Sequence, residues 1–455
     1  MNNLASLSVA ERLYGLSLIW QEANYNFAFF DRVPELDWDA AYRDYIPQVI
    51  AAEDLITYYE LLMRFTALLQ DGHTMLIPPK SVCLALDRPK LMLMNVENAP
   101  VVTNASQEIA NRVPIGSRVL KVDGMPAAEY LATRVMPAIC ETTHHRRLGQ
   151  ATARMLLGLA GSQVTCSFLT PSGQTNDVAL VRDRYTSPAP WLRPPGAPEK
   201  WEVMDFYEWF FNETPITPFV FQRLEGNLAY VALNTFMDPA VATSFEEKLP
   251  EMQRCAGLIL DMRKNHGGND DFGYRIVRHF LRQTTETLLV QTPKHVAAYR
   301  AWGVSLKDMP ADQVTTLDED AKERLLCYKR QWRHEMNWGN LSPDPAHLGL
   351  PIAILTSPET GSAAEDFLMA FQSGKGNGIR IGGSTAGSTG QPLIGDLPGG
   401  GMLGVCTVRM PWPEEIWRKG IEPDIHVEPT IADVIRNEDR VLQTALRHLC
   451  GAQEL

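Results

Sequence analysis

The sequence predicts an α/β chain, and three observations carry that prediction. Apolar residues at helical spacing fill roughly the first 70 positions, short extended runs with turn signals continue to about residue 185, and beyond residue 225 buried strands alternate with helices. Such alternation points to strand–helix crossovers and a partly parallel sheet. The composition agrees: 455 residues, 45% hydrophobic and 21% charged with 32 Gly and 31 Pro, suit a globular chain.

Residues 1–75 form a predicted helical region, with Leu13, Leu16 and Trp20 on one stripe and Leu61, Leu62, Phe65, Leu68 and Leu69 on another. Asp71-Gly72 is the expected stop, because Gly accepts left-handed backbone cheaply, and His73 to Ile77 is expected to be extended. His73 then lies at a helix-to-strand junction. Residues 95–185 are β-rich, with extended runs at Val101-Val102, Gly116 to Pro126 and Ser162 to Thr170. The middle run, a strand ending in Asp123-Gly124 before a helix, resembles the PDZ signature, which implies binding of an extended peptide by strand addition; a PDZ-like fold used only for packing is the alternative.

Residues 186–200 carry Pro188, Pro190, Pro194, Pro195 and Pro198 and are expected to be a stiff linker. Residues 201–450 are the expected α/β domain. Strands are predicted at Asn227–Leu233, Ala256–Met262, Ile352–Thr356 and Gly378–Gly382, and helices at Phe272–Leu281 and Ala363–Phe371. An insertion is expected at about 290–347, helical in spacing and rich in charge from Lys307 to His347.

Asp plus Glu number 54 against 42 Lys plus Arg, a formal charge of −12 that argues against a phosphate-backbone partner. The first residues show no basic segment followed by a long apolar run, and no 18 consecutive apolar residues occur anywhere, so the expectation is a cytoplasmic protein with no membrane partner. Seven cysteines without a C-x-x-C read as reduced thiols. Cys140, His144 and His145 lack a fourth ligand, so no metal and no cofactor is expected.

Gly-x-Ser-x-Gly, Ser-x-x-Lys and His-Glu-x-x-His are all absent. The informative stretch runs from Pro351 to Ala370: a buried strand, a turn containing Gly361, and Ser362 opening a helix. Ser362 with Glu365 reads as a capping box, which the pattern alone favours. The same place exposes a hydroxyl beside helix-start amides that stabilise negative charge, as an acyl-transfer nucleophile requires. A second buried strand from Ala256 runs into Gly267-Gly268, where backbone amides can approach a substrate oxygen.

Together with Leu69-Gln-Asp-Gly-His73-Thr, Gly382-Gly-Ser-Thr-Ala-Gly387 and Lys419-Gly-Ile-Glu422-Pro-Asp-Ile, these segments resemble the S41 peptidase family. That family includes C-terminal processing proteases, the tricorn core protease and photoreceptor retinoid-binding repeats. The resemblance covers most of residues 225–430 outside the insertion, plus the His73 segment. It implies a crotonase- or ClpP-like spiral of ββα units. Of the two catalytic arrangements in the family, the Ser-Lys dyad is disfavoured because Ser388 stands where its lysine would align.

The resemblance therefore implies a Ser362, His73, Glu422 triad: nucleophile, general base and orienter of the imidazole. The Ala363 amide and one from Gly267 or Gly268 would bind the oxyanion. Gly72 replaces a serine found before the histidine in tricorn-type sites, His266 replaces a frequent Gly, and Asp424, Asp71 and Glu365 are alternative orienters. The expected activity is peptide hydrolysis through an acyl-enzyme, with a peptide or protein substrate and with homo-oligomerisation left open. The alternatives are a non-catalytic peptide or apolar-ligand binding protein on the same fold, or a hydrolase of non-peptide acyl substrates.

Overall fold

The computed structural model describes residues 7–183, 191–192, 217–285, 289–331, 333–337, 339–410 and 412–451. Most of the proline-rich stretch lies outside them; within it, Trp191–Leu192 pairs antiparallel with Ser106 and Ala105. The chain divides into two compact units.

The first unit comprises residues 1–79, 288–340 and 389–412. Its helices Val9–Asn26, Trp38–Ala51 and Leu55–Ala67 begin at side-chain caps. Ser8 and Glu11 satisfy each other's amides, Asp37 accepts from Ala40 N at 2.8 Å, and Asp54 accepts from Thr57 N at 2.7 Å. The buried stripe of the third helix, Tyr58, Tyr59, Leu62 and Phe65, recurs every three to four residues and supplies the core. That helix stops earlier than the sequence suggested. Its end tightens through Leu68, Leu69 and Gln70 amides bonded three residues back, and Gln70, not Gly72, takes the positive φ of 50°.

Strand Met75–Ile77 then pairs antiparallel with Gly401–Cys406, which pairs with Pro392–Leu397. Tyr59 locks the helix to that sheet: its hydroxyl donates to Pro398 O at 2.7 Å and accepts from Gly401 N at 2.9 Å. In the inserted stretch, Glu319–Tyr328 is helical, but Arg333–Asn337 is a strand paired antiparallel with Leu289–Pro293. Its partner is about 40 residues away in the chain, so the local charge pattern held no sign of it.

The second unit comprises residues 80–287, 341–388 and 413–455. It begins with a β-rich module in which Ala99–Ser106, Arg118–Val122, Gln163–Leu169 and Thr175–Val181 lie side by side. Asp123 and Gly124 turn at φ 47° and 82°, and helix Ala127–Tyr130 follows. The helix His144–Arg154 covers this module, burying Arg146, Gln150 and Thr152 along with two alanines.

The six-stranded sheet of this unit follows the order Phe219–Leu224, Leu228–Leu233, Gly257–Asp261, Ile352–Thr356, Gly378–Gly382, Ile425–His426. Its first pair is antiparallel and the rest are parallel, so two strands lead into helix Ala240–Met252 and back to the sheet as a ββα unit. Gly257–Asp261 and Ile352–Thr356 are buried at every position, as the apolar runs Leu258–Leu260 and Ile352–Leu355 require. Parallel strands end together, so the loops after Asp261, Thr356 and Gly382 collect at one edge. Hydrogen bonds stitch them: Thr360 Oγ1 to Met262 O at 3.0 Å, Ser357 Oγ to Arg263 O at 2.6 Å, and Thr356 Oγ1 to Gly383 O at 2.9 Å.

Candidate active site

Ser362 stands at that edge, between strand Ile352–Thr356 and helix Ala363–Ser373. Its backbone sits at φ 56°, ψ −133°, a conformation that L residues rarely adopt. The Glu365 carboxylate accepts the Ser362 N–H at 3.3 Å, so this part of the expected capping box is present. An ordinary cap, however, holds β-region angles and needs no such strain.

Glu365 does more than cap. It is fully buried and receives the Thr385 hydroxyl, the Gly387 N–H at 2.8 Å and the Ser388 N–H at 3.0 Å in addition to Ser362. Burial raises its pKa to about 7 against the pull of these donors. The carboxylate thereby fixes loop 385–388 beside Ser362, and Ser388 O accepts the Ser362 N–H at 2.9 Å. A serine at this position cannot act as a lysine base would.

Gly267 meets Ser362 directly, and Gly268 meets Phe236. Gly267 has φ 96°, and a Cβ there would lie 2.6 Å from Ser362 Cβ and 2.8 Å from Ala363 N. Gly268 has φ 136°, and a Cβ there would lie 2.3 Å from the Phe236 carbonyl carbon. Phe236 N donates to Gly267 O at 2.9 Å and Phe236 O accepts from Asn269 N at 2.8 Å, which holds the turn in place. The Gly267 N–H is engaged by Asn265 Oδ1 at 2.9 Å. Among the described residues the Gly268 and Ala363 N–H groups have no acceptor.

Helix His144–Arg154 reaches both loops that flank Ser362. Thr143 Oγ1 donates to Ala386 O at 2.9 Å, His145 Nε2 lies 2.7 Å from Thr385 O, and Arg146 Nη1 donates to Pro358 O at 3.1 Å. Arg146 is buried and pairs with Glu359 and, at 3.3 Å, with Glu141. His266 joins this group, its Nδ1 3.5 Å from Glu359. The polar sequence of the helix gave no warning of these contacts. Among the described residues no group of three or more His, Cys, Asp or Glu is placed to hold a metal, and no helix is long and apolar enough to cross a membrane.

His73 belongs to the first unit, and Ser362 and Glu422 to the second. The Asp71 carboxylate accepts the His73 and Thr74 backbone amides and the Thr74 hydroxyl; burial raises its pKa to about 6. Burial also pulls His73 down to about 4, so its imidazole is neutral near pH 7. Glu422 is exposed and makes no hydrogen bond or ion pair among the described residues. The alternative carboxylates are occupied: Asp424 grips Arg380 at 3.0 and 3.2 Å, and Glu365 and Asp71 hold the donors named above.

Residues 227–427 match the profile of peptidase family S41, a stretch that includes Gly267, Gly268, Ser362, Ala363 and Glu422. No curated protein matches the sequence. Among solved structures, mature CPAF complexed with lactacystin is similar at TM-score 0.70 and 14% identity, covering 99% of each chain. Mature CPAF alone gives 0.69 and 14%, covering 99% of this chain and 98% of that one. A putative peptidase from Parabacteroides merdae gives 0.52 and 18%, covering 98% and 97%. The α/β fold with its helical N-terminal region is thus the fold of these structures, and the stretch from 227 to 427 is similar to peptidase family S41.

Proposed function

We propose that the chain hydrolyses peptide bonds through an acyl-enzyme formed on Ser362, with His73 as general base and Glu422 as the carboxylate that orients it. The observation that carries the reading is the Gly-like backbone of Ser362 at a helix start, pressed against the Gly267-Gly268 turn. Strain of this kind persists only where the surroundings over-determine it, and it collects at reacting groups.

In the first half-reaction Ser362 Oγ bonds to the scissile carbonyl carbon, its proton passes to His73, and the carbonyl electrons move to oxygen. The Ala363 and Gly268 amides supply the oxyanion donors, Gly267 N–H being committed to Asn265. Collapse breaks the C–N bond and the His73 proton leaves with the amine. Water then repeats the sequence on the ester. His73 is neutral near pH 7 and so able to take a proton, and the engagement of Asp71, Asp424 and Glu365 elsewhere supports Glu422 as orienter. The β-rich module, PDZ-like in sequence, would engage an extended peptide by strand addition.

Fluorophosphonate labelling with peptide mapping tests this. Labelling confined to Ser362, absent in Ser362→Ala and strongly slowed in His73→Ala and Glu422→Gln, is expected. Labelling that persists in Ser362→Ala would overturn the assignment.

A further inference from the structure

His266, marked in the sequence because glycine is frequent at its place, has no part in the mechanism, yet its side chain leads into a buried cluster of the second unit. Backbone bonds hold the residues on either side of it: Gly361 N donates to Asn265 O at 3.0 Å, and Phe236 N to Gly267 O at 2.9 Å. The imidazole adds a third tie. Arg146 Nη2 lies 3.4 Å from His266 Nδ1, while Nη1 of the same guanidinium donates to Pro358 O at 3.1 Å and pairs with Glu359, both in the loop before Ser362. Arg146 Nε reaches Glu141 at 3.3 Å, and Gln150 Nε2 also donates to Glu359, at 3.3 Å. A guanidinium only donates, so Nδ1 accepts; the ring proton sits on Nε2 and the imidazole is neutral. Desolvation lowers the His266 pKa, with Glu359 opposing the effect and Arg146 adding to it. Arg146 is 8% exposed and faces two carboxylates, which compensate its charge.

We propose that Arg146 is a positioning residue for acylation: its one guanidinium holds the loop before Ser362 and, through His266, the turn that carries the Gly268 oxyanion donor. The proposal rests on Ser362 being the nucleophile and Gly268 N–H an oxyanion donor. The two donors, the Ala363 and Gly268 amides, lie on these two segments, so the placement of one segment against the other sets how well both point at a single oxygen. The arginine fork ties the turn to the carbonyl of residue 358 and the carboxylate of residue 359, a few positions before the reacting serine. Arginine suits the task because its planar fork presents five N–H groups and meets Glu141, Pro358, Glu359 and His266 together, whereas a lysine ammonium is a point donor.

Arg146→Lys keeps the charge opposite Glu141 and Glu359 but loses the fork, and His266→Ala cuts the arm to the turn without removing a buried charge. Labelling rate with an alkyl fluorophosphonate and thermal midpoint are measured for the wild type, both variants and the double variant. Each single variant should fold and label more slowly, by up to about 10²-fold. In the double variant the Arg146→Lys step should slow labelling far less than it does alone, because the arm it loosens is already gone. Imidazole ¹H–¹⁵N spectra of the wild type, with the His266 signal identified by its loss in His266→Ala, should show a ring protonated at Nε2 that takes its second proton well below the ordinary value of about 6.5. Wild-type labelling by either folded single variant overturns the positioning role. So does an Arg146→Lys effect of equal size with and without His266, the pattern of two independent sites. A ring protonated at Nδ1, or one that titrates near 6.5, overturns the Arg146–His266 contact. If Arg146→Lys does not fold, His266→Ala decides by the same labelling comparison. If the wild type itself does not label, the Ser362 reading fails and the positioning role falls with it, while the ring spectrum still decides the contact.

Discussion

Gly267→Ala is the sharpest perturbation of the proposed site. The added methyl would lie 2.6 Å from Ser362 Cβ and 2.8 Å from both Ala363 N and Gly361 O, so backbone has to move. The residue would also be held at φ 96°. Left-handed strain costs about 1–2 kcal/mol and overpacking about 1–3 kcal/mol, giving a loss of roughly 2–5 kcal/mol. Because the collision is with Ser362 and the Ala363 amide, activity should fall further: displacing one oxyanion donor costs about 10²–10³ in rate. Gly124→Ala separates the two effects, since it has φ 82° but nothing within 4 Å of its added Cβ. Its expected loss is strain alone, about 1–2 kcal/mol, with wild-type labelling. The assay is fluorophosphonate labelling rate beside thermal midpoint for both variants. Wild-type labelling by folded Gly267→Ala would refute the idea that this turn abuts the reacting serine.

Other substitutions probe the frame of the site. Glu365→Gln sets an amide NH2 against donors from Thr385, Gly387 and Ser388, and should cost about 1–3 kcal/mol in a melting experiment and slow labelling as loop 385–388 loosens. Arg263→Met removes the guanidinium that pairs with Asp261 at 2.6 Å and Asp439 at 2.9 Å; leaving those carboxylates uncompensated should cost about 3–5 kcal/mol, seen as a lowered denaturation midpoint. His73 must be neutral to take a proton, and its burial holds it to about 4, so its protonation should slow labelling only as pH falls through about 4. A limb centred near 6.5 would place His73 in ordinary solvent.

The sheet was legible because its strands are buried on both faces: Leu258-Ile-Leu and Ile352-Ala-Ile-Leu are unbroken apolar runs, and the structure bounds the second at Ile352–Thr356. Ser362 was legible as a helix start but not as a strained residue, since Ser-x-x-Glu is a sound cap and φ is imposed by Gly267 and Ser388 from elsewhere in the chain. Helix His144–Arg154 was missed because its buried face is polar. Arg146 and Gln150 are buried against Glu359, more than 200 residues away, and no local period encodes that. The strand Arg333–Asn337 was hidden for the same reason, its identity lying in its partner.

The backbone of Ser362 has a consequence for how such a position drifts over generations. At φ 56°, ψ −133° glycine is the comfortable residue, so a chain relieved of its chemistry gains stability by exchanging the serine for glycine. Ser362→Gly should therefore melt higher than Ser362→Ala, and it makes the better inert form for holding a bound peptide. The same reasoning turns this one codon into a reporter on descendants of the sequence: serine kept there marks a lineage still exposed to selection for turnover, and glycine marks one that has settled into binding.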